Sequence, residues 1–371
     1  MRQLMKVAAV VSASTLALTA CGSETSKEGD STTSTTSAGA TDSSSSSSTS
    51  SDTSSAPAAE SDVKVGMAYD VGGRGDQSFN DAAAAGLDKA KSEFGIETKE
   101  ATAVNGENEA AREERLNQLV DAGYTNIIAV GFAYAESVGK VAKENPDVHF
   151  AIIDDASEAS AGDNVAQLTF AENEGSFLVG AAAALKTKTD KLGFVGGVNV
   201  PLINKFEAGF EAGAKAVNPK IEIESTYLTQ PPDFSGFGDP AKGKTAAEGM
   251  FDNGADIVYH AAGGSGAGVF TAAKAAKGWA IGVDSDQALT AEEGVRDVIL
   301  TSMLKKVDVA VYDYLKKTTE GAAPAGNVVY DLKADGVGYA TTGGNVDDIK
   351  DKLEDYKAKI VSGEIKVPDS K

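Results

Sequence analysis

From Asp62 onward, short apolar runs alternate with stretches whose apolar residues recur every three or four positions. The first pattern reads as strand and the second as helix. Val63–Tyr69 (VKVGMAY) predicts a strand, followed by a glycine-rich loop and a helix from about Phe79 to Phe94. Asn126–Val130 predicts a strand before a helix near 134–144, and Val148–Ile153 another strand. Asn164–Phe170 follows, then a long helix from about Glu172 to Lys186. Leu192–Gly196 opens a second series. It continues with a helix near 202–216, a strand at Ile221–Leu228, a helix near 241–252, and strands at 256–259 and 279–283. From about Glu320 the pattern is less regular, with strand-like runs at Asn327–Leu332 and Gly336–Ala340 and a last helix from about Val346 to Ile360. Strands alternating with helices of this length indicate parallel sheets covered on both faces. The expected class is α/β, with two Rossmann-like lobes rather than one sheet. No period of 20–50 residues recurs, which argues against a solenoid.

Ahead of this region the pattern differs twice. Arg2 and Lys6 precede an apolar run from Val7 to Leu18. That run is too short and too weakly apolar for a membrane span of about 20 residues, and it reads as a signal peptide. Leu18-Thr19-Ala20-Cys21 resembles the bacterial lipobox, whose cysteine receives a diacylglycerol. The alternative is an ordinary signal peptide with a chance cysteine. Two acyl chains anchor stably without a transmembrane helix, so the lipobox reading predicts a chain held on the extracytoplasmic face of the cell membrane. Residues 22–61 hold 24 Ser or Thr in 40 positions and no Leu, Ile, Val or aromatic residue. Such a segment cannot offset its ordering entropy by burial, and as a flexible coil it would span about 35 Å.

Composition narrows the function. The 371 residues carry 55 acids against 34 bases, a formal charge of −21, which argues against nucleic acid as a partner. One cysteine excludes an intrachain disulfide and a cysteine-built metal cluster, and two histidines leave little for a metal centre. No cofactor is expected. The motifs GxSxG and HExxH are absent, and the chain is not expected to be an enzyme.

Ligands of open parallel sheets sit beyond the carboxyl ends of the strands. Three apolar runs end in aspartate: VKVGMAY in Asp70, HFAII in Asp154 and WAIGV in Asp284. Their carboxylates can accept hydrogen bonds from a polyhydroxylated ligand, or cap strand ends and helices. Asp70–Asn80 (DVGGRGDQSFN) has the glycine content of a phosphate loop but neither its pattern nor its lysine. Phe79 can stack on a planar base or pack in the core, and Asn80 offers both a donor and an acceptor. Gly263–Gly268 (GGSGAG) either lets backbone approach a ligand or is a plain strand-to-helix turn. Lys305-Lys306 can meet a ligand or lie on a solvated face.

Asp70–Asn80, Phe170–Gly180 (FAENEGSFLVG), Gly193–Gly213, AAGGSGAG at 261–268, GVDSDQ at 282–287 and TSMLKK at 301–306 together resemble the basic membrane protein (Bmp/Med/PnrA-like) family. These are lipoprotein substrate-binding components of ABC transporters, and the resemblance runs from residue 62 to about 360. It implies a type I periplasmic-binding-protein fold, two lobes joined by a multi-crossover hinge, and a purine nucleoside ligand such as adenosine, guanosine or inosine. The expected layout is lobe 1 at 62–168 plus about 285–318, and lobe 2 at 169–284 plus about 319–371. By the same resemblance Phe79 and Phe206 stack on the two faces of the base. Asn80 and Asp154 bond from the first lobe, and Gly263 or Gly264 brings backbone close. Asp284 holds ribose hydroxyls, Lys305 reaches the base or a linking carboxylate, and Asp70 binds or only shapes its loop. The expected partners are the small ligand, an ABC permease and the lipid anchor, with the chain a monomer. A sugar-binding protein of the same fold and a surface sensor without transport are the alternatives.

Overall fold

The computed structural model describes residues 61–371. The expected signal peptide at 1–20, and Cys21 with the Ser/Thr-rich segment through residue 60, lie outside the described residues. The first half runs β1 (Lys64–Tyr69), α1 (Phe79–Phe94), β2 (Glu97–Thr102), α2 (Glu109–Asp121) and β3 (Asn126–Val130). It closes with α3 (Ala135–Glu144), β4 (His149–Ile153) and β5 (Val165–Phe170). The second half runs α4 (Glu172–Lys186), β6 (Lys191–Val198), α5 (Pro201–Val217), β7 (Glu222–Thr229) and α6 (Pro240–Asp252). It continues with β8 (Ile257–Ala261), α7 (Gly266–Ala276), β9 (Trp279–Asp284), α8 (Gln287–Thr290) and β10 (Ile299–Lys305). The chain ends through α9 (Val307–Thr319), β11 (Gly326–Tyr330), β12 (Val337–Tyr339) and α10 (Lys350–Val361).

Two six-stranded sheets result, in the orders β11-β5-β4-β3-β1-β2 and β12-β10-β9-β8-β6-β7. All pairings are parallel except the antiparallel β10–β12. The inner strands are apolar along their whole length because helices cover both faces of each sheet. In β3 all five residues are buried, whereas the edge strand β2 (ETKEAT) has none buried. Helix ends follow local chemistry. Asn108 and Asp239 cap α2 and α6 through side-chain oxygens that accept from Ala111 and Lys242 N–H, and Gly95 in the left-handed conformation ends α1. Among the described residues no helix is long and apolar enough to cross a membrane.

The chain passes between the sheets three times: at Phe170–Glu172, at Lys305–Val307 and at Asp331–Gly336. This is the type I periplasmic-binding-protein architecture. Its lobe boundaries differ from those expected. β10, expected in the first lobe within 285–318, pairs with β9 in the second sheet. β11, expected in the second lobe within 319–371, pairs with β5 in the first. Within 299–319 only α9 joins the first lobe, where Val307, Ala310, Val311, Tyr314 and Leu315 enter its core beside α1. Strand partners are chosen by long-range packing, and an apolar run carries no mark of the sheet it will join.

Candidate ligand-binding cleft

The carboxyl ends of both sheets face a common cleft enclosing about 560 Å³, part of it open to solvent. The first lobe supplies Asp70 and Val71 after β1, Asp76, Phe79 and Asn80 around the start of α1, Gly131 and Phe132 after β3, and Asp154 after β4. The second supplies Leu202, Ile203 and Phe206 on α5, Phe237, Ala261–Gly263 around the end of β8, Val283 and Asp284 of β9, and Lys305 of β10. Eight of the expected positions thus share one cavity: Asp70, Phe79, Asn80, Asp154, Phe206, Gly263, Asp284 and Lys305. Gly264 lies just outside the lining, half-buried near Phe237 and Asp76.

Lys305 stands at the back of the cleft, with 1% exposure. Its Nζ donates to Asp154 Oδ2 at 2.5 Å and lies 3.3 Å from Glu172 Oε1. Three rings surround it, with centroids at 5.1 Å for Phe79, 5.1 Å for Phe170 and 5.4 Å for Phe206. Burial disfavours the ammonium, but Asp154, Glu172 and Asp284 outweigh it and hold the lysine charged. The same burial pushes Asp154 up to about 7, with Lys305 pulling the other way and Glu172 adding repulsion. Asp154 Oδ1 is buried and has no hydrogen-bond partner among the described residues. An unpaired acceptor in such a place calls for a donor from a ligand.

Asp154 and Asp284 end their strands with φ of +71° and +63°, a conformation that L-residues other than Asn and Asp seldom adopt. Asp284 Oδ2 accepts from Ser78 Oγ at 2.5 Å, a bond between the lobes. Burial raises Asp284 to about 6 against the pull of Lys305 and Ser78. Asp70 is raised to about 6 by burial, opposed by its bond from Val71 N–H. The neighbouring Gly131 has φ +106°, and a Cβ there would stand 2.7 Å from Asp70 Oδ2, so a side chain at 131 would displace this carboxylate. Asn80 spends its amide on the loop: Oδ1 accepts from Asp70 N–H, and Nδ2 donates to Asp76 Oδ2 and Val71 O.

Several lining groups escaped sequence reasoning. Asp76 sits inside a loop of glycines rather than at a strand end, and Phe237 and Phe132 lie in short turns without periodicity. Glu172 gave no signal because a glutamate in the first turn of a helix is the ordinary case. Of the two histidines, His260 is fully buried on β8 against Phe270 and lowered to about 4 by burial, while His149 is exposed at the start of β4. Lys306 pairs with Asp335 on the surface and stays out of the cleft.

Two α/β lobes, three chain crossings and one cleft walled from both halves define a two-lobed solute-binding protein. A family profile described as "ABC transporter substrate-binding protein PnrA-like" (Bmp) matches residues 63–371. The chain belongs to this family, whose members are substrate-binding proteins rather than enzymes. It is 40% identical over 331 residues to the "CD4+ T-cell-stimulating antigen" of Listeria innocua, covering 84% of this chain and 89% of the relative. It is 36% identical over 324 residues to the "ABC transporter nucleoside-binding protein BmpA" of Lactococcus lactis subsp. cremoris, covering 83% and 90%. A crystal structure of an ABC transporter solute-binding protein from Aeropyrum pernix K1 superposes with a TM-score of 0.72 at 32% identity, covering 82% of this chain and 94% of that one.

Proposed function

We propose that the protein is a lipid-anchored, extracytoplasmic solute-binding component of an ABC importer, and that its cleft takes purine nucleosides. The observation that carries this reading is Lys305 with its three aromatic neighbours beside the unpaired oxygen of Asp154. Aromatic faces suit a planar base, and a lysine beside a carboxylate offers both donor and acceptor to its edge. Phe79 and Phe206 bracket the base, Lys305 and Asp154 meet its edge, and Asn80 holds the loop against it. Asp284 takes ribose hydroxyls, and Asp70 and the backbone of Gly263–Gly264 close the sides. The similarity to a relative named as nucleoside-binding supports the same reading.

The mechanism is closure. Ligand contacts come from both lobes, so they are complete only when the cleft is shut, and ligand shifts the population toward that form. No bond is made or broken in the ligand. The closed form then docks on a permease in the membrane, where Cys21 and its lipid keep it. Cys21→Ala should release the protein or stall its processing, read by membrane fractionation.

The charge of the site adds a discrimination. Asp70, Asp76, Asp154, Glu172 and Asp284 outnumber the cations that face them, Lys305, Lys205 beside Glu172 and Arg112 near Asp70, so a phosphate would be repelled. Calorimetric titration with inosine, guanosine and adenosine, their monophosphates and free pentoses tests both points. Nucleosides should bind, and their monophosphates at least about tenfold more weakly, a difference of about 1.4 kcal/mol. Binding of a free sugar but no nucleoside would overturn the reading.

A further inference from the structure

The loop between β1 and α1 has the glycine content of a phosphate cradle without its pattern, and the binding reading leaves its far end, Gln77-Ser78, unexplained. The loop is fixed firmly to the first lobe. The Arg74 guanidinium forks onto Asp88 and Glu100 with four hydrogen bonds of 2.6–3.0 Å. Asp76 accepts from the N–H groups of Ser78, Asn80 and Asp81.

Ser78 holds the N-cap position of α1, where a serine hydroxyl normally accepts from the second or third amide of the helix. Here it makes no such bond, because Asp76 has taken those amides. The freed hydroxyl crosses the cleft to Asp284 Oδ2 at 2.5 Å, and Ser78 is fully buried there. The adjoining backbone crosses as well. Gln77 O accepts from Gln287 Nε2 at 2.9 Å and from Thr290 Oγ1 at 3.4 Å, and Ser78 O accepts from Ser285 Oγ at 3.2 Å. Gln287 is itself held in place, since its Oε1 accepts from Val283 N–H and its own N–H donates to Ser302 Oγ.

We propose that the Gln77-Ser78 corner is the catch that holds the two lobes shut, and that Ser78 is the positioning residue that presents Asp284 to the ligand. With Oδ2 bonded to Ser78, Asp284 has one oxygen committed to closure and the other left for a hydroxyl. The carboxylate is thus oriented only when the lobes meet, which links binding to closure through one side chain. The part concerning the ligand rests on the nucleoside reading above; the catch does not.

The test uses the full chain, kept unlipidated by Cys21→Ser, with inosine as probe. S78A should bind inosine about tenfold more weakly. It should add no further loss in a D284A background, an additivity failure that a merely structural role would not produce. Asp284 also faces Lys305, Glu172, Asp76 and Tyr259, so removing the Ser78 donor raises its proton affinity without leaving it alone. The loss of inosine affinity on acidification should therefore begin at higher pH in S78A than in the wild type. In solution scattering without added nucleoside, S78A combined with Q287A should give a larger radius of gyration. Equal inosine affinity and equal pH profiles in S78A and wild type would overturn the positioning role. If no nucleoside binds the wild type, the nucleoside reading falls and scattering alone decides the catch: an unchanged radius of gyration overturns it.

Discussion

Replacing Lys305 by methionine would leave Asp154 without its cation and Glu172 with only the partly exposed Lys205, 3.7 Å away. Breaking one side of a buried ion pair typically costs about 3–5 kcal/mol. K305M should lose stability of that order at pH 8 and less at pH 6, where Asp154 can take up a proton; urea unfolding at the two pH values measures both. Asp70 gives a second pH effect with a definite sign. Its folded-state pKa of about 6 lies above the ordinary 3.8, so the folded protein binds the extra proton between those values. The associated stability is full below the unfolded value and lost as pH rises through about 6. Against D70N, which does not titrate, the wild type should lose up to about 3 kcal/mol between pH 4 and pH 8. Asp70, Asp154 and Asp284 were legible in the sequence because each ends an apolar run. Ser78 was not, since a serine before a helix reads as its cap, and only the folded chain shows Asp76 doing that work.

At the level of elements, α4 and α5 pack backbone against backbone. A Cβ at Gly213 would stand 1.9 Å from Phe177 O, one at Gly209 2.2 Å from Asn173 O, and one at Gly180 2.1 Å from Phe210 O. These helices carry Glu172 and Phe206 into the cleft, so their spacing sets its back wall. G213A must push the helices apart. It should lower stability by about 1–3 kcal/mol, seen as several degrees in Tm, and weaken ligand binding together with it. The glycines of these segments contributed to the family resemblance without revealing this contact. The strongly apolar strands β1, β3, β4 and β5 were read from the pattern directly. β2 was missed because an edge strand need not be apolar, and ETKEAT shows no alternation. β10 was seen only as the motif TSMLKK, with no sign of its partner strand.

Over the whole molecule, neither lobe is a continuous stretch of chain. The first sheet takes β11 as its edge, and the first core needs α9 against α1, both supplied only after β10 of the second sheet. A fragment of residues 62–168 lacks these parts. It should fail to fold, as judged by far-UV circular dichroism and rapid proteolysis, where the full chain gives one cooperative transition. The sequence made two lobes legible, but not which strand closes which sheet, because that choice is settled across more than 150 residues of chain. The strand orders recorded above have a further meaning. Set side by side as β2-β1-β3-β4-β5-β11 and β7-β6-β8-β9-β10-β12, the two halves share one strand order and differ in the direction of the last strand, parallel in β11 and antiparallel in β12. Asp154 follows and Asp284 ends the fourth strand of its half, each with positive φ, and Phe79 and Phe206 both lie on the first helix after the opening strand. The cleft is thus walled by two halves of one strand order, each giving it an aspartate and a phenylalanine at corresponding places. The fifth strands differ in their end residues, Phe170 in one half and Lys305 in the other. A ligand between such halves meets an aspartate and a phenylalanine from each, and the phenylalanine-for-lysine difference at the fifth strand helps to give the site a head and a tail.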